Sequence, residues 1–264
     1  MDLGLQGKTA LVSGASKGIG RAIALALAGE GARVALVART PAGLEDAAVA
    51  IRHRCGVEAI TIAADLARLD EVERVVRTAA ERLGGLDILI NNAGAIRSGD
   101  FLKTPDENWI ADWNLKLLGY IRMARAAFPL MQAQGGGCIC NIIGGAARNP
   151  QPTYLAGGAA NAALVNFTKG LADLGAPHGI RVVGISPAAT RTERWETLLR
   201  QQAAALGRPV EDLREEAASK YPLGRIGEPE DVADLACFLV SRRASFITGV
   251  CVSVDGGAGR GVSL

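Results

Sequence analysis

The 264-residue sequence predicts an α/β protein, a doubly wound parallel sheet of seven strands with helices on both faces. Three observations carry that expectation. Apolar runs rich in β-branched residues alternate with amphipathic helical segments along most of the chain. The first of these runs leads into a glycine-rich turn that opens a helix. No repeat, linker or low-complexity stretch breaks the rhythm, and the length fits one domain over 1–264 better than two small ones. With 49% hydrophobic and 21% charged residues the chain can bury a full core.

The strands are expected at Thr9–Ser13, Val34–Ala38, Ala59–Ala63, Ile88–Asn91, Cys138–Ile142, Arg181–Ile185 and Cys251–Val254. Between them lie helical segments such as 18-GIGRAIALALAGEG-31 and 70-DEVERVVRTAAERLG-84. Residues 190–221 form a charged, helix-prone insert after the sixth strand. In a doubly wound sheet that position is the carboxyl edge, where ligands bind, so the insert is expected to be a substrate lid.

Charge and composition exclude several classes of partner. A net charge of +2 leaves no electrostatic footprint for nucleic acid or an acidic membrane. The amino-terminal segment lacks the apolar core of a signal peptide and no 18-residue apolar run suggests a span, so the cytoplasm is the expected location. The five cysteines are scattered, and the two histidines, His53 and His178, lie far from them in sequence. Buried free thiols are expected and no metal site. Cys138 and Cys140 alternate on one strand and should face the same side.

The turn 13-SGASKGIGRAIA-24 places Gly14, Gly18 and Gly20 where a backbone must approach a pyrophosphate at a helix N-terminus. Its spacing is GxxxGxG and not the general GxGxxG, and alone it also suits a purely structural strand-to-helix turn. Three further motifs follow in order: 86-LDILINNAG-94, 222-PLGRIGEPEDVADLACFLVS-241 and 247-ITGVCVSVDGG-257. Together the four resemble the short-chain dehydrogenase/reductases over the whole chain. The resemblance implies a Rossmann fold, a nicotinamide dinucleotide, a small carbonyl or alcohol substrate, and a homodimer or homotetramer.

Carried over residue by residue, the resemblance implies a cofactor set of Gly14, Ser16, Lys17, Gly18, Ile19, Gly20, Arg39, Asp65, Leu66, Asn91, Ala93, Gly94, Asn161, Pro187 and Thr192. Asn91 matches the asparagine that stabilises the central strand, and Asp65 the acid beside the adenine. The segment 186-SPAATRT-192 resembles the family's PGxxxT loop, with Ala188 in place of the glycine. Cofactor choice rests on the end of the second strand, where a carboxylate would bind the ribose 2′-OH of NAD. Arg39 stands there, and Lys17 lies inside the glycine turn. Two cations suit the 2′-phosphate of NADP(H), with NAD(H) still possible and solvated surface charges as the alternative.

The family works with Asn, Ser, Tyr and Lys. The tyrosine exchanges a proton with the substrate oxygen, and the lysine lowers the phenol's pKa. In this chain 139-ICNIIGG-145 sets the serine position at Gly144, and the family's thirteen-residue step lands on Gly157. The downstream match 161-NAALVNFTKGLA-172 sets the lysine position at Asn161, four residues after Gly157. The ungapped pattern of 116-KLLGYIRMARAAFPLM-131 puts Lys116 at the asparagine position. Asn114 is an alternative that needs a two-residue insertion.

A rearranged site is therefore expected. Tyr154, one turn before Gly157, would be the proton donor, Lys116 the modulating cation and Asn161 the residue that positions the cofactor. The function implied is hydride transfer between NADP(H) and a carbonyl or secondary alcohol. The alternatives are a catalytically inactive dinucleotide-binding sensor or scaffold, and a non-redox lyase or isomerase. In the inactive case Tyr154 is ordinary packing, Lys116 a surface residue, and the run 156-AGGAANAA-163 a subunit-packing stripe. Arg191, Arg194 and Trp195, at the start of the lid, would meet an acidic or CoA-like substrate, or else be solvated.

Overall fold

In a computed structural model, which describes residues 1–259, β1 (Thr9–Ser13) leads through the glycine turn into α1 (Gly18–Gly29). Then follow β2 (Arg33–Ala38), α2 (Pro41–Cys55), β3 (Ile60–Ala63), α3 (Leu69–Leu83) and β4 (Ile88–Asn91). The second half runs α4 (Asp106–Ala133), β5 (Gly137–Ile142), α5 (Leu155–Gly175) and β6 (Ile180–Pro187). It ends with α6 (Glu193–Leu206), α7 (Val210–Ser219), α8 (Pro229–Val240) and β7 (Cys251–Val254).

All seven strands pair in parallel in the order β3-β2-β1-β4-β5-β6-β7. The order reverses between β1 and β4, and ligands in open α/β sheets bind in the crevice at such a switch point. Alternate residues of each strand serve opposite faces. Val12 and Ile90 pack towards α1, α2 and α8, while Leu11 and Leu89 pack towards α3 and α4. Cys138 and Cys140 both belong to the first face and Ile139 to the second, as the alternation requires. All five cysteines are free, and the described residues contain no cluster able to hold a metal. No helix among them is long and apolar enough to cross a membrane.

Local chemistry sets the helix ends. Helix α2 starts on Pro41, whose fixed φ suits a first turn, and stops at Gly56 in the left-handed region. Helix α6 is capped by Thr192, whose Oγ1 accepts the Trp195 N–H at 3.3 Å. The insert forms two helices, parted by Gly207 with its φ of 63° and by Pro209, the residue before α7. Strands β1, β4 and β7 keep the expected bounds, and the other four depart by one or two residues at an end. The largest departure is β6, which continues through Ser186 and Pro187 because both pair with β7.

Candidate active site

Two adjoining cavities open at the carboxyl edge of the sheet. The first, about 670 Å³, is lined by ten of the expected cofactor residues: Gly14, Ser16, Lys17, Gly18, Ile19, Arg39, Leu66, Ala93, Gly94 and Thr192. Gly14 and Gly18 hold φ of 67° and 57°, conformations that side chains rarely adopt. A Cβ on Gly20 would lie 2.3 Å from the Gly14 carbonyl oxygen, so this glycine permits the close approach of helix and turn. Neither Lys17 nor Arg39 forms an ion pair with a described residue.

The turn is fixed from the neighbouring strand. Asn92 Nδ2 donates to the carbonyls of Ser13 and Gly14 at 3.1 and 3.2 Å, and Ser13 Oγ accepts the backbone N–H of Asn92 and Ala93. Asn92 also lines both cavities. Sequence reasoning passed over it for its neighbour, although the pair NN in the motif was the available signal. Asn91 is fully buried below the cavities. Its Nδ2 donates to Asn141 Oδ1 at 3.0 Å, and it does not line the cleft. Asp65 likewise stays off the cleft wall, accepting the Ala67 N–H at 3.1 Å, while Ala64 and Leu66 form that wall.

The second cavity, about 420 Å³, brings Lys116, Tyr154, Asn161, Gly144, Pro187 and Ala188 together. Among the described residues only glycines have a positive φ, so Ala188 replaces the family's glycine there without backbone strain. Helix α4 delivers Lys116, whose Nζ donates to the Ile142 carbonyl at 3.3 Å and lies 5.5 Å from the Tyr120 ring centre. Asn114 is engaged elsewhere. It donates to the Ala67 carbonyl at 2.8 Å and accepts from Arg122 at 2.8 Å, and Lys116 lines the cavity where Asn114 does not.

Each of the three side chains occupies space vacated by a glycine. A Cβ on Gly157 would lie 2.0 Å from Tyr154 Cε1 and 2.1 Å from Cζ. On Gly144 it would meet Asn161 Nδ2 at 3.0 Å, and the φ of 118° there is itself hostile to a side chain. On Gly94 it would meet Lys116 Cδ at 2.8 Å. Gly157 and Gly158 are buried inside the chain, so at these two positions the small-residue run serves internal packing.

The electrostatics follow from enclosure. Burial lowers the Lys116 amine to about 8, and the Arg194 charge pushes the same way. Burial raises the Tyr154 phenol above its ordinary value; Arg194 opposes that rise and Asp112 adds to it. Asn161 is 2% exposed and its Oδ1 has no hydrogen-bond partner, an orphaned acceptor at the cavity. Arg194 itself was not separable from its charged neighbours in sequence. Arg191 pairs with Glu228, whereas Arg194 lines both cavities and donates from Nη2 to the Ile96 carbonyl at 3.1 Å.

This sheet order and glycine turn, with a titratable cavity at the switch point, define a dinucleotide-dependent oxidoreductase of the Rossmann class. The family model described as enoyl-(acyl carrier protein) reductase matches residues 14–259. The chain belongs to that branch of the short-chain dehydrogenase/reductase family. It is 34% identical over 258 residues to the 3-oxoacyl-[acyl-carrier-protein] reductase FabG of Staphylococcus aureus, covering 95% of this chain and 97% of that protein. The structure of L-sorbose reductase from Gluconobacter frateurii, complexed with NADPH and L-sorbose, superposes with a TM-score of 0.96 at 34% identity, covering 99% and 100% of the two chains. A 7α-hydroxysteroid dehydrogenase complexed with NADH and an oxo bile acid gives 0.90 at 27% identity, over 99% and 98%.

Proposed function

We propose that the protein is an NADP(H)-dependent carbonyl reductase whose proton donor is Tyr154, working in a rearranged site with Lys116 and Asn161. The observation that carries this reading is the Tyr154 ring lying in the volume of the missing Gly157 side chain, on the same cavity as the other two. The glycine cradle and the orphaned Asn161 Oδ1 suit a dinucleotide. Gly14, Ser16, Gly18 and Ile19 would hold its pyrophosphate, Lys17 and Arg39 a 2′-phosphate, and Leu66, Ala93 and Gly94 its adenine side and neighbouring backbone. Asn161 Oδ1 would accept from a ribose hydroxyl. When bound, the dinucleotide supplies the hydride.

Within the chain, Tyr154 holds a proton at its phenol oxygen. A phenol raised by burial keeps that proton at neutral pH and releases it only to a strongly basic alkoxide, which favours the reducing direction. Lys116, on the same cavity, would supply a cation to the site, and α6, which lines the cavity through Arg194, Trp195 and Leu198, would serve as its lid. The exposed apolar residues Ile110 and Leu118 on α4 and Leu155 on α5 support assembly as a homodimer or homotetramer.

The test is NADPH consumption with a panel of ketones and aldehydes, with NADPH binding followed separately by fluorescence. Tyr154→Phe should lower kcat by roughly 10²–10⁴-fold while NADPH binding holds. An unchanged rate would reject Tyr154 as donor. Binding without turnover for any carbonyl would favour a dinucleotide sensor. Arg39→Ala should erode the preference for NADPH over NADH.

A further inference from the structure

We infer that the carbonyl substrate carries a carboxylate, received by Arg194 at the mouth of the Tyr154 cavity. This deepens, and rests on, the carbonyl-reductase reading. The described residues lining that cavity include two cations, Lys116 and Arg194, and no aspartate or glutamate. Neither cation forms an ion pair with a described residue; their hydrogen bonds go to the neutral carbonyls of Ile142 and Ile96. Three other arginines of the same lid segment are neutralised, Arg191 by Glu228, Arg208 by Glu216, and Arg214 by Glu196 and Glu211, and Arg200 does not line the cavity.

A guanidinium offers five N–H donors in a planar fork, and the contact with Ile96 uses one of its nitrogens. The rest of the fork matches a carboxylate, which would bind through charge-assisted hydrogen bonds. Such an anion would also offset the like-charge pressure that Arg194 puts on the enclosed Lys116 amine. Trp195 and Leu198 give the remainder of the substrate an apolar wall. The competing counter-ion for Arg194 is a pyrophosphate in the adjoining cleft, which this residue also lines.

Calorimetry on the protein saturated with NADP⁺ separates these roles. The probes are 2-oxopentanoate, 4-oxopentanoate and their methyl esters, with turnover of the same compounds measured using NADPH. At least one acid should bind roughly ten- to hundredfold more tightly than its ester. Arg194→Gln should abolish that preference and Arg194→Lys restore part of it, with each variant's melting temperature confirming that it folds. Equal binding of acids and esters, or a preference that survives Arg194→Gln, overturns the assignment. So does a loss of NADP⁺ affinity that leaves the acid-to-ester ratio unchanged. An acid preference that depends on Arg194 but comes without turnover upholds the carboxylate site and overturns the reductase reading instead.

Discussion

Tyr154 and Gly157 behave as one unit, because the ring of the first fills the side-chain space of the second. A methyl group on Gly157 would force the ring aside, and overpacking of this kind costs about 1–3 kcal/mol. An alanine within a helix otherwise gains about 1 kcal/mol over glycine. Gly157→Ala should therefore lower the melting temperature and the activity in the native background, yet stabilise the protein once Tyr154 is also alanine. The same shift in both backgrounds would show that the ring does not occupy that space. Lys116 tests enclosure at the same scale. Its amine is lowered from 10.5 to about 8, so below pH 8 the folded chain holds a charge that burial opposes. Between about 8 and 10.5 the unfolded chain binds a proton that the folded chain has released, and stability rises with pH across that window. Lys116→Met should be the more stable protein at pH 7, by on the order of 1–3 kcal/mol, and lose that advantage as pH climbs to 10.5. The carbonyl it leaves behind keeps its bond from Tyr120, so no new orphan is created. Urea unfolding at several pH values reads the effect.

At the scale of elements, the site depends on how two helices are registered against the sheet. Helix α4 turns Lys116 into the cavity, and Asn114, two positions earlier, towards Ala67 and Arg122. Helix α5 presents Asn161 to the same cavity, with Tyr154 just before its first turn. Lys116 and Asn161 were expected at the site from flanks that match without a gap, and the sheet was readable because its alternation is local. Strand ends were less so, since β6 owes Ser186 and Pro187 to pairing with β7, a partner some seventy residues away. The lid was legible as helical but not as to which arginine faces inward. Arg191 and Arg194 both fall at the very start of the insert, before the apolar face of Trp195, Leu199 and Ala203 sets an orientation. In the folded lid Arg191 pairs with Glu228, and of Arg194 and Arg200 only Arg194 lines the cavities.

At the scale of the whole molecule, a buried polar chain joins the middle of the sheet to the helix that carries the site. Asn91 on β4 donates to Asn141 on β5; Asn141 donates to Thr168 on α5 at 3.0 Å, and Thr168 donates to the Leu164 carbonyl at 2.7 Å. All three residues are at most 1% exposed. The sequence placed Asn91 in the cofactor set because its motif mixes framework with binding residues. Burial assigns it to the framework, and Asn92 to the cleft. A half-satisfied buried network costs more than an apolar one, since each stranded group loses its solvation without recompense. Asn141→Ala removes the shorter of the two hydrogen bonds that Asn91 Nδ2 donates, and the donor to Thr168, at once. It should destabilise the protein by about 2–4 kcal/mol in urea, with an unchanged slope. Because the lost link anchors α5, kcat should fall too, although Asn141 does not line either cavity. Thr168→Val, which removes only the helix end of the chain, should be milder in stability and still lower kcat. If either variant lost stability with kcat intact, the network would hold the sheet without setting the position of Tyr154 and Asn161.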